Sequence, residues 1–353
     1  MSSLTALARP DIVELEPYAH AAWEPDLERL HANENPWRTP GDNSAIGLNR
    51  YPEPQPASLV RRLAALYGVD SERTLVGRGS DEAIDLLVRA FCRAEVDGVL
   101  VLPPTFGMYK VAAQIQGAKV EELVLTAADG FAPTAASVLA RWQPHIRLVF
   151  LCTPNNPTGN AYDGEMVATI ARELAGRALV VADEAYLEFS GRPSLANRKE
   201  RLGNLVVLRT LSKAHALAGA RCGCALADPE VIDILKRIIP PYAIPSATAQ
   251  SVEHALLPPQ LAMAGARVAM LVAERDKLAQ RLARSAAVRR VFPSAANFLL
   301  VEFAQAGRAF EKMRAAGLLV RDVRRQPGLG SCLRITIGLP EQNERLVTAL
   351  ESP

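Results

Sequence analysis

Short apolar segments alternate with amphipathic segments from about residue 50 to residue 240 of the chain. The segments predicted as strands are Gly98–Leu102, Val120–Leu125, Arg147–Cys152, Ala178–Ala182 and Leu205–Leu208. Between them lie predicted helices such as Ser80–Arg93, in which apolar side chains recur at helical spacing. Nearly continuous apolar strands separated by helices are typical of a mostly parallel sheet covered on both faces. The pattern therefore predicts an α/β fold.

The C-terminal part of the chain has a different pattern. A long helix is predicted at Pro259–Ser285, followed by strands at Phe298–Phe303 and Leu333–Ile337 and a helix at Arg308–Ala316. With 353 residues, the chain is long enough for more than one domain. We predict an N-terminal arm with part of a small domain (1–45), a large domain (46–245), and a connecting helix with the rest of a smaller α+β domain (246–353).

Composition and charge exclude several classes of protein. The chain is 49% hydrophobic and 22% charged, as in globular proteins, and its net charge of +2 argues against a nucleic-acid-binding surface. No segment approaches the ~18 consecutive apolar residues of a transmembrane helix, and the N-terminus lacks the apolar core of a signal peptide. The five cysteines have no metal-binding spacing. We therefore expect a cytoplasmic protein that contains no metal site and keeps its cysteines reduced.

Polar clusters follow the predicted strands at the ends where α/β sheets bind ligands. In the first cluster, residues 77–82, a glycine turn opens a helix whose backbone N–H groups are able to bind a phosphate. In the second, residues 153–159, two prolines and a glycine hold an asparagine amide in a rigid loop. Each of these clusters, taken alone, also fits an ordinary turn.

Two further clusters contain the groups that a pyridine-aldehyde cofactor needs. Asp183 ends a buried strand and Tyr186 follows three residues later, so a carboxylate and a phenol are available to a ring nitrogen and a ring oxygen. Lys213 follows Ser212 after another apolar strand, and a partly desolvated lysine forms an imine with an aldehyde. The alternatives are a helix-capping aspartate and a solvated Ser-Lys pair. Arg221 offers a further phosphate contact.

Together, in this order, the clusters resemble those of the fold-type-I pyridoxal-phosphate (PLP) aminotransferases. The resemblance runs from about residue 18 to the C-terminus and implies a large domain with a mostly parallel sheet flanked by helices, plus a smaller α+β domain. Flanking segments are similar to the histidinol-phosphate aminotransferase branch of this superfamily. They are residues 33–34, 49–53, 103–109, 181–186, 208–214 and 332–336.

The resemblance implies a role for each residue around the cofactor ring. Lys213 holds PLP as a Schiff base and then transfers a proton between the substrate and the cofactor. Asp183 pairs with the pyridinium nitrogen. Asn156 and Tyr186 bond the ring oxygen, and Tyr109 stacks on the face of the ring.

A second group of residues is implied to bind the phosphate of the cofactor. The backbone at Ser80 and Asp81 contacts it, together with the side chains of Ser212 and Arg221. The hydroxyl of Tyr51 reaches the same phosphate from the other subunit. The resemblance therefore implies a homodimer in which the active site is shared between subunits.

Substrate binding is implied at a third group of residues. Arg334 receives the carboxylate of glutamate or the phosphate of histidinol phosphate, and Tyr18 and Arg321 complete this anion site. Asn33 is a further substrate-binding residue. Phe106 stands where relatives often carry tyrosine, and it receives no role.

The implied reaction interconverts histidinol phosphate and imidazole acetol phosphate, with glutamate and 2-oxoglutarate as the second pair, in histidine biosynthesis. One alternative is an aromatic amino-acid aminotransferase on the same scaffold. Another is a PLP-dependent decarboxylase of a phosphorylated amino acid such as threonine phosphate. A PLP-sensing transcription regulator is a non-enzymatic alternative, but the roughly 50 residues before the predicted core contain no helix-turn-helix pattern.

Overall fold

A computed structural model of the protein describes residues 4–20, 24 and 27–352. Its α-helices are α1 (Pro10–Val13), α2 (Ala57–Tyr67), α3 (Ser80–Phe91), α4 (Met108–Gln116), α5 (Ala135–Arg141), α6 (Gly164–Glu173), α7 (Pro229–Ile238), α8 (Ser246–Ala255), α9 (Pro258–Leu282), α10 (Ala306–Ala315) and α11 (Pro340–Glu351). Its strands are β1 (Thr74–Gly77), β2 (Gly98–Val101), β3 (Lys119–Glu122), β4 (Ile146–Cys152), β5 (Leu179–Asp183), β6 (Leu205–Thr210), β7 (Gly223–Leu226), β8 (Val288–Val291), β9 (Phe298–Phe303), β10 (Arg321–Asp322) and β11 (Cys332–Thr336).

Seven strands form the larger sheet, in the order β1-β7-β6-β5-β4-β2-β3. Strands β2 to β6 pair in parallel, and β7 pairs antiparallel with both β1 and β6. Consequently β1 runs in the same direction as β2 to β6, and the carboxyl ends of these strands lie at one edge of the sheet. This is the edge at which α/β sheets bind ligands.

Both faces of this sheet are buried, which is why its strands are apolar at nearly every position. On β4, Val149 and Leu151 belong to the core under α2, α5 and α6, whereas Leu148 and Phe150 belong to the core under α3, α4 and α7. This alternation follows from the two-residue repeat of a strand. The predicted helix-covered, mostly parallel sheet is confirmed.

The smaller sheet is antiparallel, in the order β10-β11-β9-β8. Its core is shared with α9, α10 and α11. Phe292, Leu300 and Val323 of this region pack into the core on the α2 face of the large sheet. This contact brings β11, which carries Arg334, close to the loop after β4. The predicted division of the chain at residues 45 and 245 stays a prediction.

Several elements were missed or displaced in the sequence-based prediction. Four short strands of two to four residues, β1, β7, β8 and β10, were not predicted, and neither was helix α11. The predicted strand Val120–Leu125 ends at Glu122, because its pairing with β2 ends there, where Glu122 lies opposite Val101. The other predicted ends agree within three residues.

The N-terminal residues are packed more firmly than their irregular sequence suggests. A 3-10 turn at Thr5–Leu7 precedes α1, and Leu4, Leu7 and Ala8 are buried in the core shared with α3 and α7. Beyond α1 the described residues up to α2 form no regular element.

A helix that crosses a membrane must be long and apolar. Among the described helices, none is long and apolar enough by itself. Helices α8 and α9 reach the required length and hydropathy only when taken together, and a bend of 73° separates them.

Candidate active site

Three strand ends bring the predicted chemical groups together. Cys152 at the end of β4 lies opposite Asp183 at the end of β5, and Asp183 lies opposite Leu208 on β6. Thr210 is the last residue of β6, so Ser212 and Lys213 follow at the same edge. Sequence reasoning placed these clusters at strand ends, and the register of the sheet makes them neighbours.

A cavity of about 130 Å³ lies at this edge of the large sheet. It is lined by Ser80, Asp81, Phe106, Cys152, Asn156, Asp183, Ala185, Tyr186, Thr210, Ser212, Lys213, Ala218 and Arg221. Eight of these are predicted site residues. The rest were given no role by the sequence, although Phe106, Ala185 and Thr210 lie within the matching segments 103–109, 181–186 and 208–214. A larger cavity of about 250 Å³ beside α10 is lined by four alanines together with Gln305, Leu350 and two cationic residues, Arg308 and Lys312.

The start of α3 forms one end of the cavity. Gly79 precedes the helix with φ of +83°, a conformation that favours glycine, and a Cβ there would lie 2.9 Å from Nη2 of Arg221. Arg221 itself has φ of +50°, and its guanidinium donates to Asp81 at 3.1 Å and to Ser212 Oγ at 3.4 Å. An N-terminal helix turn, a guanidinium and a hydroxyl therefore meet at one place, which suits a phosphate.

Gly223 explains why the helix start lies so close to β6 and β7. A Cβ on this residue would lie 2.7 Å from both the carbonyl oxygen of Arg209 and the backbone nitrogen of Ser80. Any larger residue would therefore push the first turn of α3 away from the strands. Close backbone approach of this kind is the usual reason for a glycine within a strand.

Asp183 lies at the base of the cavity and is 2% exposed. It accepts hydrogen bonds from the hydroxyl of Tyr109 at 2.7 Å and from the backbone N–H of Ala185 at 3.1 Å. Burial outweighs these bonds and raises the pKa of Asp183 to about 6. A cationic partner in the cavity would remove much of the cost of ionising this carboxyl.

Lys213 extends into the same cavity. Burial is the main cause of its lowered pKa, and the nearby guanidinium of Arg334 contributes in the same direction. Its Nζ atom lies 5.5 Å from the centre of the Tyr186 ring. A lysine with a lowered pKa has more of its amine in the neutral form, which is the nucleophile and the base.

Asn156 and Arg334 connect the loop after β4 with the small sheet. Nη1 of Arg334 donates to Oδ1 of Asn156, and Nδ2 of Asn156 donates to the hydroxyl of Tyr186 at 3.4 Å. The guanidinium carbon of Arg334 also lies 5.2 Å from the centre of the Phe298 ring. Burial lowers the pKa of Arg334, and its Nε has no hydrogen-bond partner among the described residues. The arginine is therefore available to a further anion.

The resemblance implied that Tyr109 stacks on the face of the cofactor ring. In the structure Tyr109 does not lie on the cavity wall. It is fully buried behind the cavity, with its hydroxyl on Asp183 and its ring stacked on Phe150 at 4.7 Å. Phe106 lines the cavity instead. The reason is local: Tyr109 is in the first turn of α4 and faces the sheet, whereas Phe106 precedes the helix.

Arg321 and Arg334 lie side by side on neighbouring strands. Their Cα atoms are register partners in the antiparallel pair β10 and β11, so their side chains leave the same face of the sheet. Arg321 is exposed, and its charge contributes to lowering the pKa of Arg334. The structure thus brings these two predicted anion-binding residues together.

Tyr18, Asn33 and Tyr51 do not line the cavity of their own chain. Tyr18 is 69% exposed and lines a separate cavity that also contains His20. Asn33 is exposed. Tyr51 is 49% exposed and stacks on Tyr242 with ring centres 4.6 Å apart. Three of the predicted ligand contacts are therefore surface groups of the single chain.

The residues of the cavity fit PLP group by group. The start of α3 with Arg221 suits a phosphate, the carboxyl of Asp183 suits a pyridinium, and the amine of Lys213, whose pKa burial lowers, suits an aldehyde. Among the described residues, no group of three or more His, Cys, Asp or Glu side chains is arranged to hold a metal ion.

Comparison with known proteins identifies the family. A model of the family described as aminotransferase class I and II matches residues 29–350. The histidinol-phosphate aminotransferase of Stenotrophomonas maltophilia (strain R551-3) is 48% identical over 356 residues, which cover 100% of this chain and 98% of that protein.

Solved structures agree on the fold. Histidinol-phosphate aminotransferase from Clostridium acetobutylicum matches with a TM-score of 0.78 at 20% identity, over 86% of this chain and 90% of that chain. The enzyme of the same name from Sinorhizobium meliloti, in complex with pyridoxal-5'-phosphate, matches with a TM-score of 0.74 at 24% identity, over 85% of this chain and 82% of that chain. The predicted fold-type-I fold and PLP dependence are confirmed. The chain belongs to the class I and II aminotransferases, and it is a PLP-dependent transaminase.

Proposed function

We propose that the protein transfers the amino group of histidinol phosphate to 2-oxoglutarate, forming imidazole acetol phosphate and glutamate in histidine biosynthesis. The observation that carries this proposal is the relative of that name, which is 48% identical over the whole chain. The adjacent Arg321 and Arg334 support it, since two guanidinium groups suit a phosphate dianion better than a single carboxylate.

The proposed cofactor contacts follow the geometry of the cavity. The backbone at Ser80 and Asp81, together with Ser212 and Arg221, binds the phosphate of PLP. The ionised carboxyl of Asp183 keeps the ring nitrogen protonated. When bound, PLP supplies an electron-withdrawing ring that accepts the electron pair left when a proton leaves the carbon bearing the amino group.

The remaining contacts to the ring come from the loops after β2, β4 and β5. The amide of Asn156 and the hydroxyl of Tyr186 donate to the ring oxygen. Oδ1 of Asn156 already accepts from Arg334, so its Nδ2 is the atom left to donate. We assign the face of the ring to Phe106 in place of Tyr109, because Phe106 lines the cavity.

Lys213 acts as the base and the acid of the proposed reaction. Burial lowers the pKa of its Nζ amine, and as a neutral amine Nζ would take the proton from the amino-bearing carbon of the substrate and, as the ammonium, would give that proton up again. Nζ lies 5.5 Å from the centre of the Tyr186 ring, and the guanidinium of Arg334 is close enough to contribute to its lowered pKa.

Arg334 binds the anion of both substrates in turn. Glutamate places a carboxylate there and histidinol phosphate places its phosphate there, so the two half-reactions use one guanidinium. Arg321 lies beside it and adds contacts to the extra oxygen of a phosphate. We also assign Tyr18 and Asn33 to substrate binding. In the single chain both residues are exposed and lie outside the cavity.

We further propose a homodimer in the cytoplasm whose active site is shared between subunits. In the single chain Tyr51 lies outside the cavity and is half-exposed, with its ring held by Tyr242. This position supports a contact between its hydroxyl and the cofactor phosphate of the partner subunit.

Single-turnover spectroscopy of the PLP-loaded enzyme tests the substrate. Each amino donor is mixed with the enzyme alone, and the change in cofactor absorbance is followed. We expect histidinol phosphate to exceed histidinol and phenylalanine by at least about 100-fold in kcat/KM, because each hydrogen bond to a charged group contributes ~1.5–3 kcal/mol. Equal rates with phenylalanine would favour an aromatic aminotransferase, and carbon dioxide released from threonine phosphate would favour a decarboxylase.

Two variants test the anion site with the same assay. Arg334→Ala is expected to slow both half-reactions, since glutamate and histidinol phosphate share this arginine. Arg321→Ala is expected to slow histidinol phosphate by roughly 10- to 150-fold and glutamate by less. Arg324→Ala is the control, because this half-buried guanidinium is paired with Asp322. Equal losses for both donors in Arg321→Ala would contradict its assignment to the phosphate.

A further inference from the structure

A group of ionisable side chains lies beside the cavity, and the proposed reaction does not use it. It consists of Glu184, Glu188, Arg209 and His215, and we call it the buried ion cluster. Glu184 is 1% exposed and Arg209 is 5% exposed. Nη1 of Arg209 donates to Oε2 of Glu184 at 2.8 Å, and its Nη2 donates to Oε1 of Glu188 at 2.8 Å.

Glu188 lies at the centre of the cluster. Besides the bond from Arg209, its Oε1 lies 3.9 Å from Nε2 of His215. The carboxylate of Glu184 is fixed separately by the hydroxyl of Ser194 at 2.6 Å and the backbone N–H of Leu195 at 2.7 Å.

The cluster spans the two segments that carry the reactive lysine and its neighbouring tyrosine. Arg209 comes four residues before Lys213 and His215 comes two residues after it. Glu184 and Glu188 lie on either side of Tyr186. Each segment is therefore held on both sides of its functional residue. Glu188 contacts Arg209 before Lys213 and His215 after it.

Stability alone is a poor explanation for this arrangement. Two carboxylates share one guanidinium, and burial lowers the pKa of His215, so the imidazole adds no full positive charge at neutral pH. Nε of Arg209, Oε2 of Glu188 and Nδ1 of His215 are buried without a partner among the described residues. Buried ion pairs and unsatisfied polar atoms seldom add net stability, which points to a role in fixing geometry.

We infer that the buried ion cluster, with Glu188 at its centre, positions Lys213 against Tyr186. The inference rests on the proposed role of Lys213 as the lysine that holds the cofactor. Glu188 acts through the two segments it connects and touches neither substrate nor cofactor, so it is a positioning residue. Glu188 thereby sets the position of the Nζ atom of Lys213. This atom lies 5.5 Å from the centre of the Tyr186 ring.

The test uses Glu188→Ala and Glu188→Gln in the PLP-loaded enzyme. The readouts are kcat, KM and the visible circular dichroism of the lysine-bound cofactor, which reports how the protein holds the ring. We expect Glu188→Ala to lower kcat roughly 10- to 100-fold, because misplacing a reacting group by about 1 Å has an effect of this size. KM should change less than about twofold, because substrate binding does not depend on the lysine.

The conservative variant separates positioning from folding. Glu188→Gln keeps an oxygen that accepts from Nη2 of Arg209, so kcat and the circular dichroism should return close to the values of the unchanged protein. In Glu188→Ala the circular dichroism at saturating PLP should fall by about half or more. Glu188→Gln also keeps the inference testable should Glu188→Ala fail to fold.

Asp97→Ala is the matched control. Asp97 is another buried carboxylate of the large domain, bonded to Arg93 at 2.6 Å and Arg147 at 3.1 Å, away from the cavity. Its removal should lower the melting temperature as much as Glu188→Ala does, without changing kcat or the circular dichroism of the cofactor.

Two outcomes overturn different claims. If Glu188→Ala loses only thermal stability, as Asp97→Ala does, the positioning role is wrong and the proposed function stands. If Lys213→Ala keeps the near-visible absorbance of the lysine-bound cofactor after dialysis, the proposed lysine is wrong, whatever Glu188 does.

Discussion

At the scale of the residue, burial shifts the pKa values of the main ionisable groups in the cavity. Asp183 and Lys213 carry opposite charges in water, but in the cavity burial shifts the pKa of each toward its neutral form. In the proposed complex, PLP would favour the ionised form of Asp183 by placing a pyridinium beside it. The cofactor-free protein should therefore respond to pH through this carboxyl.

We expect Asp183 to destabilise the cofactor-free protein as the pH rises. Its folded pKa of about 6 lies above the ordinary value of 3.8, so its contribution is fully present below pH ~4 and is lost as the pH rises through ~6. At about 1.4 kcal/mol per pKa unit, the loss is ~3 kcal/mol. The measurement is urea unfolding of the cofactor-free protein and of Asp183→Asn between pH 4 and pH 8.

Asp183→Asn cannot ionise and provides the reference curve for this experiment. The difference in unfolding free energy between the two proteins should change in favour of Asp183→Asn as the pH rises. A difference that stays constant across this range would mean that the pKa of Asp183 is not raised in the fold.

Single residues also show the limit of sequence reasoning about the site. The sequence predicted Asn156, Asp183, Tyr186 and Lys213 because each follows an apolar strand whose end must lie at the ligand-binding edge. The resemblance assigned the face of the ring to Tyr109, whereas the residue on the cavity wall is Phe106. That choice depends on where α4 begins, and helix ends are poorly encoded by local sequence. The buried ion cluster was missed because its members come from separate elements.

At the scale of the element, the start of α3 is the part of the fold most directly adapted to an anion. Gly79, with its positive φ, turns the chain into the helix, and Gly223 lets the first turn approach the strands. Neither contact was readable from the sequence, in which residues 77–82 fitted an ordinary turn equally well. The short strand β7, which supplies Gly223, was also missed, so the tight packing could not be predicted.

We expect Gly79→Ala to weaken PLP binding roughly 10- to 150-fold, the effect of losing one hydrogen bond to a charged group. The added Cβ would lie 2.9 Å from Nη2 of Arg221 and displace this guanidinium. Titration of the cofactor-free protein with PLP measures the Kd. Gly130→Ala is the control, since Gly130 has φ of +62° but nothing within 4 Å of a Cβ. Equal PLP binding by the two variants would contradict the displacement of Arg221.

At the scale of the whole molecule, the α/β class and the order of elements could be predicted because the strands are buried on both faces and read as apolar runs. The sharing of a site between subunits could not be derived from patterns, since it depends on surfaces that only a second chain completes. Tyr51, which lies outside the cavity of its own chain, is the residue that this proposal concerns.

Mixing two impaired variants tests the shared site. Tyr51→Glu should weaken PLP binding by placing a like charge beside the phosphate, and Lys213→Ala should be inactive. In the heterodimer one site combines an intact Lys213 with an intact Tyr51 from the other chain, so activity should rise above that of either parent. Heterodimers shown to form without such recovery would assign Tyr51 to its own subunit or to no site.

The central claim is that the cavity at the ends of β4, β5 and β6 holds PLP on Lys213. The most direct measurement is reduction of the PLP-loaded enzyme with borohydride, followed by proteolysis and mass spectrometry of the labelled peptide. The chain has seven lysines, and the account predicts that the reduced cofactor is attached to Lys213 alone. Stable label on any other lysine, with Lys213 unmodified, would contradict it.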